Sequence, residues 1–273
     1  MTGTHDEAGG SDGRLVALVT GATGAIGRAI AERIADRPGY EVVLLGRDAA
    51  KAEAAVAHVQ HRSGNPNVRY ELADVARRRS ITALAERWSG RAHVLVNTAA
   101  ITPRGREETP EGIERQLATN VLGYFWMIEA FRERLAEAAP ARVVNVASYW
   151  AGGLDLDDLE FKHRRYDNDA AYRQSKQGDR MLTVAFAERL KGAGISVNAC
   201  HPGDVVSTLS RSLGFGGHET ADEAARTPAW LATEATGGTV TGRYFEHTRE
   251  VRCRFGEDRE AVEALYRACE AYH

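Results

Sequence analysis

The sequence predicts an α/β protein whose core is a doubly wound parallel sheet of about seven strands with helices on both faces. Three observations lead there. Apolar, β-branched runs recur along the chain, segments of helical periodicity separate them, and the first run leads straight into a glycine cluster that opens a helix.

In chain order, LVALV (15–19) reads as the first strand and AIGRAIAERIA after it as an amphipathic helix. Strands are expected again at EVVLL (41–45), NVRYEL (67–72), HVLVN (93–97), ARVVNVA (141–147) and ISVNA (195–199). LATNVLGYF falls within a long helix between the fourth and fifth strands. A helix around 221–234, a last short strand at TVTGRYF (239–245) and a closing helix in EDREAVEALYRACEAY complete the pattern.

A chain of 273 residues without internal repeats or a Pro/Ser-rich linker fits one continuous domain over residues 14–273. Residues 1–13, MTGTHDEAGGSDG, read as a disordered polar tail and lack the basic start and apolar run of a signal peptide. The formal net charge of -3 leaves no basic footprint for nucleic acid or a membrane surface, so small-molecule chemistry is expected. Cys200, Cys253 and Cys269 show neither paired nor zinc-ligand spacing, which predicts no metal site and fits a reducing cytoplasm. No apolar run is long enough to span a bilayer, and a soluble protein is expected.

TGATGAIGRAI places Gly21, Gly24 and Gly27 between the first strand and the first helix. Glycines there permit a tight turn and close backbone approach to a pyrophosphate, while the helix N-terminus attracts its charge. With Thr23, Ala25 and Ile26 completing the loop, a Rossmann-type dinucleotide site is expected, a tight βα turn in an unliganded α/β domain being the other reading. After the second strand, VVLLGRD offers Arg47 where an NAD site usually places an acidic residue. A guanidinium can pair with a 2′-phosphate, so NADP(H) is expected, with NAD(H) the other option. Arg28 in the first helical turn is a secondary candidate.

AYRQSKQ (171–177) sets Tyr172 four residues before Lys176. With nine Tyr and four Lys, chance gives roughly 0.1 such pairs, so the pair invites a chemical reading. At this spacing both side chains share a helix face, and an ammonium near a phenol favours the phenolate and brings it toward neutral pH.

TGATGAIG, VNTAA, VVNVAS and YRQSK, in that order, resemble the short-chain dehydrogenase/reductase family from Leu15 to the C-terminus. VNACHPGDVVSTL looks like that family's Pro-Gly loop. The insertion GGLDLDDLEF (152–161), the QSK form, HPGDVVSTL and TGRYFEHTREVR resemble its retinol-dehydrogenase-like branch.

The resemblance implies an oxidoreductase in which Tyr172 exchanges the proton, Lys176 lowers its pKa and holds the nicotinamide ribose, and Ser148 polarises the substrate carbonyl. Asn120 would hold a water linking the Lys to solvent. Asn97, Thr98 and Ala99 would line the cofactor, although Thr98 and Ala100 depart from the usual NNAG. Asp74 with Val75 would meet the adenine, Glu71 being the other register. Pro202, Gly203 and Val205 would shape the nicotinamide turn, with Ser207 or Thr208 on its carboxamide.

Segments 149–168 and 207–228 are expected to line the substrate pocket. Tyr149, Trp150, Leu209, Leu213 and Phe215 suit a hydrophobic, bulky carbonyl or alcohol, and Gly214, Gly216 and Gly217 suggest a flexible lid. His163, Arg164 and Arg165 read as a solvated basic turn or a site for an acidic group. Family habit implies a homodimer or homotetramer. The rival functions are a non-redox, epimerase-type relative, suggested by the GxxGxxG spacing, and a nucleotide-sensing protein, which would not need Ser148, Tyr172 and Lys176 together.

Overall fold

The computed structural model describes residues 13–206, 208–214 and 216–272. The tail expected over 1–13 therefore lies almost wholly outside the described residues, as do Ser207 and Phe215.

Eight strands form one sheet in the order β3-β2-β1-β4-β5-β6-β7-β8. They are β1 (Leu15–Thr20), β2 (Tyr40–Gly46), β3 (Val68–Leu72), β4 (Val94–Asn97), β5 (Ala141–Val146), β6 (Ile195–His201), β7 (Tyr244–Glu246) and β8 (Arg249–Val251). All pairings are parallel except β7 with β8. The strand order reverses between β1 and β4, so a crevice opens beyond their carboxyl ends.

Residues alternate between two apolar layers, as the period of a strand requires. Ala17, Val19, Val96 and Val144 pack with α1 (Ala25–Ala35), α2 (Ala49–Ser63) and α8 (Ala221–Thr233). Leu18, Leu95, Val143 and Val197 pack with α3 (Arg78–Arg87), α5 (Gly123–Ala136), α6 (Asn168–Leu190) and α10 (Arg259–Glu270). Short helices α4 (Arg115–Leu117), α7 (Thr208–Ser212) and α9 (Ala235–Thr239) fill the connections.

The predicted architecture is present, with two local corrections. The last strand expected at 239–245 begins only at Tyr244, because Ala235–Thr239 coils into α9, where Gly237 lies against the Leu231 backbone. The eighth strand follows a turn in which His247 and Thr248 hold φ of 48° and 61°. His is among the residue types that tolerate such a dihedral, but a β-branched Thr there is rare and gives no warning of the turn.

The long helix expected around LATNVLGYF is also interrupted. Between α4 and α5 the chain widens into a π-helical turn, Ala118–Leu122, centred on Asn120. Such turns concentrate at functional sites.

Helix α6 is a central pillar: sixteen of its 23 residues are buried. The sheet, α5 and α10 cover it, and Phe125, Phe186 and Tyr266 close that contact edge to face. The insertion after Ser148 covers the rest, since Leu154 and Leu156 join the apolar layer and Gln174 Nε2 donates to the Leu159 carbonyl at 2.8 Å.

Candidate active site

A cavity of about 370 Å³ runs along the carboxyl ends of the strands, from the glycine loop to the Pro202–Gly203 turn. At one end Gly21, Thr23, Gly24, Ala25, Ile26 and Gly27 form its wall. Gly21 has φ of 63°, and a Cβ there would lie 2.7 Å from the Ala99 backbone, so only glycine fits between β1 and β4. Gly24 caps α1 without a side-chain hydrogen bond, which leaves the first-turn amides facing the cavity with the positive end of the helix dipole.

Thr20, unremarked in the sequence, orders the neighbouring turn: its Oγ1 accepts from the backbone N–H of Thr98 (2.9 Å) and Ala99 (3.2 Å). Thr98, Ala99 and Ala100 line the wall, whereas Asn97 is fully buried behind it. Asn97 Nδ2 donates to Asn145 Oδ1, Asn145 Nδ2 to Thr183 Oγ1, and Thr183 Oγ1 to the Asp179 carbonyl. This polar thread ties β4 and β5 to α6.

Arg47 sits exposed at the rim beside Gly46 and makes no ion pair among the described residues. Asp74 and Val75 line the cavity, with Asp74 Oδ1 held by the Ala76 N–H at 3.1 Å. Glu71 instead faces outward to Arg69 and Arg87.

At the other end, α6 presents Tyr172 and Lys176 to the cavity and the loop after β5 presents Ser148. Strand β5 stops at Val146, two residues short of Ser148. The Arg180 guanidinium donates to the Ser148 carbonyl at 2.6 Å, while Ser148 Oγ accepts from the Trp150 N–H at 3.1 Å. Asn120 has its side chain committed elsewhere: Oδ1 accepts from the Ile101 N–H (2.9 Å), and Nδ2 donates to the Ile101 carbonyl (3.1 Å) and Ser175 Oγ (3.2 Å). Ser175 in turn donates to the Tyr172 carbonyl, a structural role within the helix.

One expectation fails in the chain's own electrostatics. Lys176 was expected to bring the Tyr172 phenol down, yet burial pushes it up to about 12, the Ser148 hydrogen bond opposes this, and Asp179 and Asp204 add to it. Lys176 does not offset this rise; its Nζ donates to Asp179 Oδ2 at 2.8 Å and to the Val146 carbonyl at 2.9 Å. Its Nζ lies 5.9 Å from the Tyr172 ring centre. No motif pointed to Asp179, and only its three-residue offset from Lys176 could have done so.

The substrate end also differs from expectation. Trp150 and Leu209 form the wall, together with His201 and Ser210, but Tyr149 and Leu213 do not. Tyr149 is half exposed and donates to Asp204 Oδ2 at 3.1 Å. Segment 152–161 packs on the outside of α6 instead of lining the pocket, because its leucines find more apolar surface there. His163 and Arg165 are exposed, as a solvated basic turn requires, while Arg164, with 32% of its side chain exposed, stacks over Phe161 and approaches Asp158.

The two ends of the segment after the Pro202–Gly203 turn are fastened together. His218 and Glu219 donate their N–H groups to the Asp204 carbonyl, and Glu219 Oε2 accepts from the Asp204 N–H. Gly203, at φ of 127°, faces the Glu219 carboxylate so closely that a Cβ would collide with it. Across the mouth, Ser212 on α7 hydrogen-bonds Thr102 and accepts from Asn168 Nδ2 at its carbonyl. Among the described residues there is no metal-ligand cluster and no helix long and apolar enough to cross a membrane.

Known proteins share this arrangement. Residues 15–214 match the family profile described as short chain dehydrogenase. Retinol dehydrogenase 13 of Mus musculus is 33% identical over 270 residues, covering 91% of this chain and 80% of its own. An uncharacterised protein of Mycobacterium paratuberculosis superposes with a TM-score of 0.79 at 28% identity, covering 95% of both chains. A Pseudomonas aeruginosa structure described as an RhlG/NADP active-site complex superposes at 0.68 with 25% identity, over 85% of this chain and 93% of the other. The chain belongs to the short-chain dehydrogenase/reductase family of nicotinamide-dependent oxidoreductases, in its retinol-dehydrogenase-like branch.

Proposed function

We propose that the protein is an NADP(H)-dependent oxidoreductase acting on a hydrophobic ketone, aldehyde or alcohol. The observation that carries this is a single cavity bounded at one end by an uncapped helix N-terminus and at the other by Ser148, Tyr172 and Lys176. Arg47 at the rim, without an acidic partner, supports the phosphorylated cofactor, as does the similar structure described as an NADP complex. The relative named retinol dehydrogenase supports an apolar substrate, and Trp150 and Leu209 supply apolar surface to receive one.

The bound nicotinamide cofactor supplies hydride in reduction and accepts it in oxidation. In reduction the Ser148 hydroxyl donates a hydrogen bond to the carbonyl oxygen, and Tyr172 transfers its phenolic proton to that oxygen as the carbon is reduced. The phenolate then regains a proton from solvent. In oxidation the same phenolate takes the alcohol proton. Lys176 would hold the ribose hydroxyls of the bound cofactor, and Asn120 keeps the π-helical turn seated against Ile101 and Ser175.

Tyr172→Phe should lower turnover at least a thousandfold while fluorescence titration gives an NADPH affinity within about twofold of the native protein, because one proton-transfer group is lost and no cofactor-binding surface. Retained turnover would sink the mechanism. Activity is found by following nicotinamide absorbance across carbonyls and alcohols of increasing size with both cofactors.

A further inference from the structure

Asp179 is a buried ionisable group that the proposed mechanism does not use. It lies three residues beyond Lys176 on α6; the Lys176 and Asp179 side chains are 2% and 0% exposed, and Nζ and Oδ2 are 2.8 Å apart. Its other oxygen, Oδ1, is buried with no hydrogen-bond partner among the described residues. A carboxylate so placed has one charged partner to satisfy it, and that partner faces the cavity.

The surroundings sharpen the pairing. From α5, Tyr124 places its ring 5.1 Å from Nζ, and its hydroxyl shares the Val146 carbonyl with the ammonium. From β6, the buried Cys200 thiol feels Lys176; from α10, the buried Cys269 thiol feels Asp179. On α6 itself the remaining titratable neighbour is Tyr172, one turn back toward the cavity, and Asp179 raises its pKa. These neighbours are neutral phenols and thiols, with burial holding the Tyr124 hydroxyl and both thiols well above their ordinary values. Two other charges approach this end of α6, Asp204, which also raises the Tyr172 pKa, and the Arg180 guanidinium at the Ser148 carbonyl, but Lys176 and Asp179 form the buried ion pair in direct contact, with burial pushing the Asp179 carboxyl up to about 7 against the pull of Lys176.

We infer that Asp179 is a positioning residue that holds the Lys176 ammonium and cancels most of its field at the Tyr172 phenol. The inference rests on the proposed role of Tyr172, and it adds that Lys176 alone does not activate that phenol. Asp179 thereby sets the pH range over which Tyr172 exchanges its proton, and it draws the ammonium toward the protein core, in competition with a ribose.

The test is a phenolate titration of the cofactor-free protein by ultraviolet difference absorbance, with Tyr172→Phe subtracted to isolate the one tyrosine. In Asp179→Asn the Tyr172 midpoint falls by about one pH unit, because an uncancelled ammonium favours the phenolate. The acid limb of the kcat profile for alcohol oxidation moves down with it. Asp179→Glu, which keeps the charge, returns both toward the native values. A midpoint and profile unchanged in a folded Asp179→Asn protein would overturn the inference.

Removing both charges in Lys176→Met/Asp179→Asn covers the case in which the single variant does not fold. Its Tyr172 midpoint stays within about half a pH unit of the native one, since a cancelled field is lost with both its sources. A displacement of a full unit in either direction would overturn the inference. Failure of the underlying mechanism is separately visible, because it appears as turnover in Tyr172→Phe and leaves these titrations unaffected.

Discussion

Arg180 reaches across from α6 to donate to the Ser148 carbonyl at 2.6 Å while its guanidinium lies 3.5 Å over the Tyr244 ring. The loop that carries Ser148 is thus held by the same helix that carries Tyr172 and Lys176. A buried hydrogen bond from a charged donor contributes about 1.5–3 kcal/mol. Replacing Arg180 with Met should loosen Ser148 and lower kcat about tenfold, which is about 1.4 kcal/mol of transition-state stabilisation. NADPH affinity should change less than twofold. Steady-state kinetics and fluorescence titration separate the two, and an unchanged kcat would show that the Ser148 carbonyl needs no such donor.

In the proposed function, cofactor choice turns on Arg47. Arg47→Ala should weaken NADPH binding by about tenfold or more and leave NADH binding nearly unaltered, since a planar guanidinium recognises the extra phosphate. Equal losses for both cofactors, measured by titration at fixed ionic strength, would remove Arg47 from that role.

Acid should destabilise the protein through His201. Burial pushes its imidazole down to about 4 from 6.5, so the folded chain binds this proton less readily than the unfolded one. Above pH 6.5 both states leave it neutral and there is no penalty. As pH falls from 6.5 toward 4 the unfolded state gains the proton first, and stability declines by up to about 3 kcal/mol, levelling below 4. Urea unfolding at pH 7.5, 5.5 and 4.5 should show a shallower decline in His201→Gln; parallel curves would contradict it.

Leu265 on α10 is fully buried against α6, its Cδ2 facing Gly178. Leu265→Ala should cost about 2–5 kcal/mol through lost transfer energy and a cavity. Equilibrium denaturation measures it; a loss below 1 kcal/mol would mean that α10 closes over the gap.

Six of the seven parallel strands could be read from the sequence because each is an apolar, β-branched run, and the glycine loop because its position between strand and helix is itself the signal. What escaped depends on contacts between distant residues. The β-branched residues of Thr239-Val240-Thr241 suggested a strand, but Gly237 packing on Leu231 favours a helical turn just before them. The insertion at 152–161 looked like pocket lining because it precedes Tyr172, whereas its leucines bury themselves on the far side of α6. Nothing in the sequence marks Asp179 and Arg180 as buried, which both are.

The polar thread from Asn97 through Asn145 and Thr183 has a mechanical consequence. It fixes how far α6 can turn about its own axis, because any rotation breaks a bond in the chain. Helix α7 hangs from a different attachment, the clasp of Ser212 with Thr102 and Asn168 at the opposite end of α6. In the proposed enzyme that clasp could part without twisting the spindle that carries Tyr172 and Lys176, which would separate access from reacting geometry.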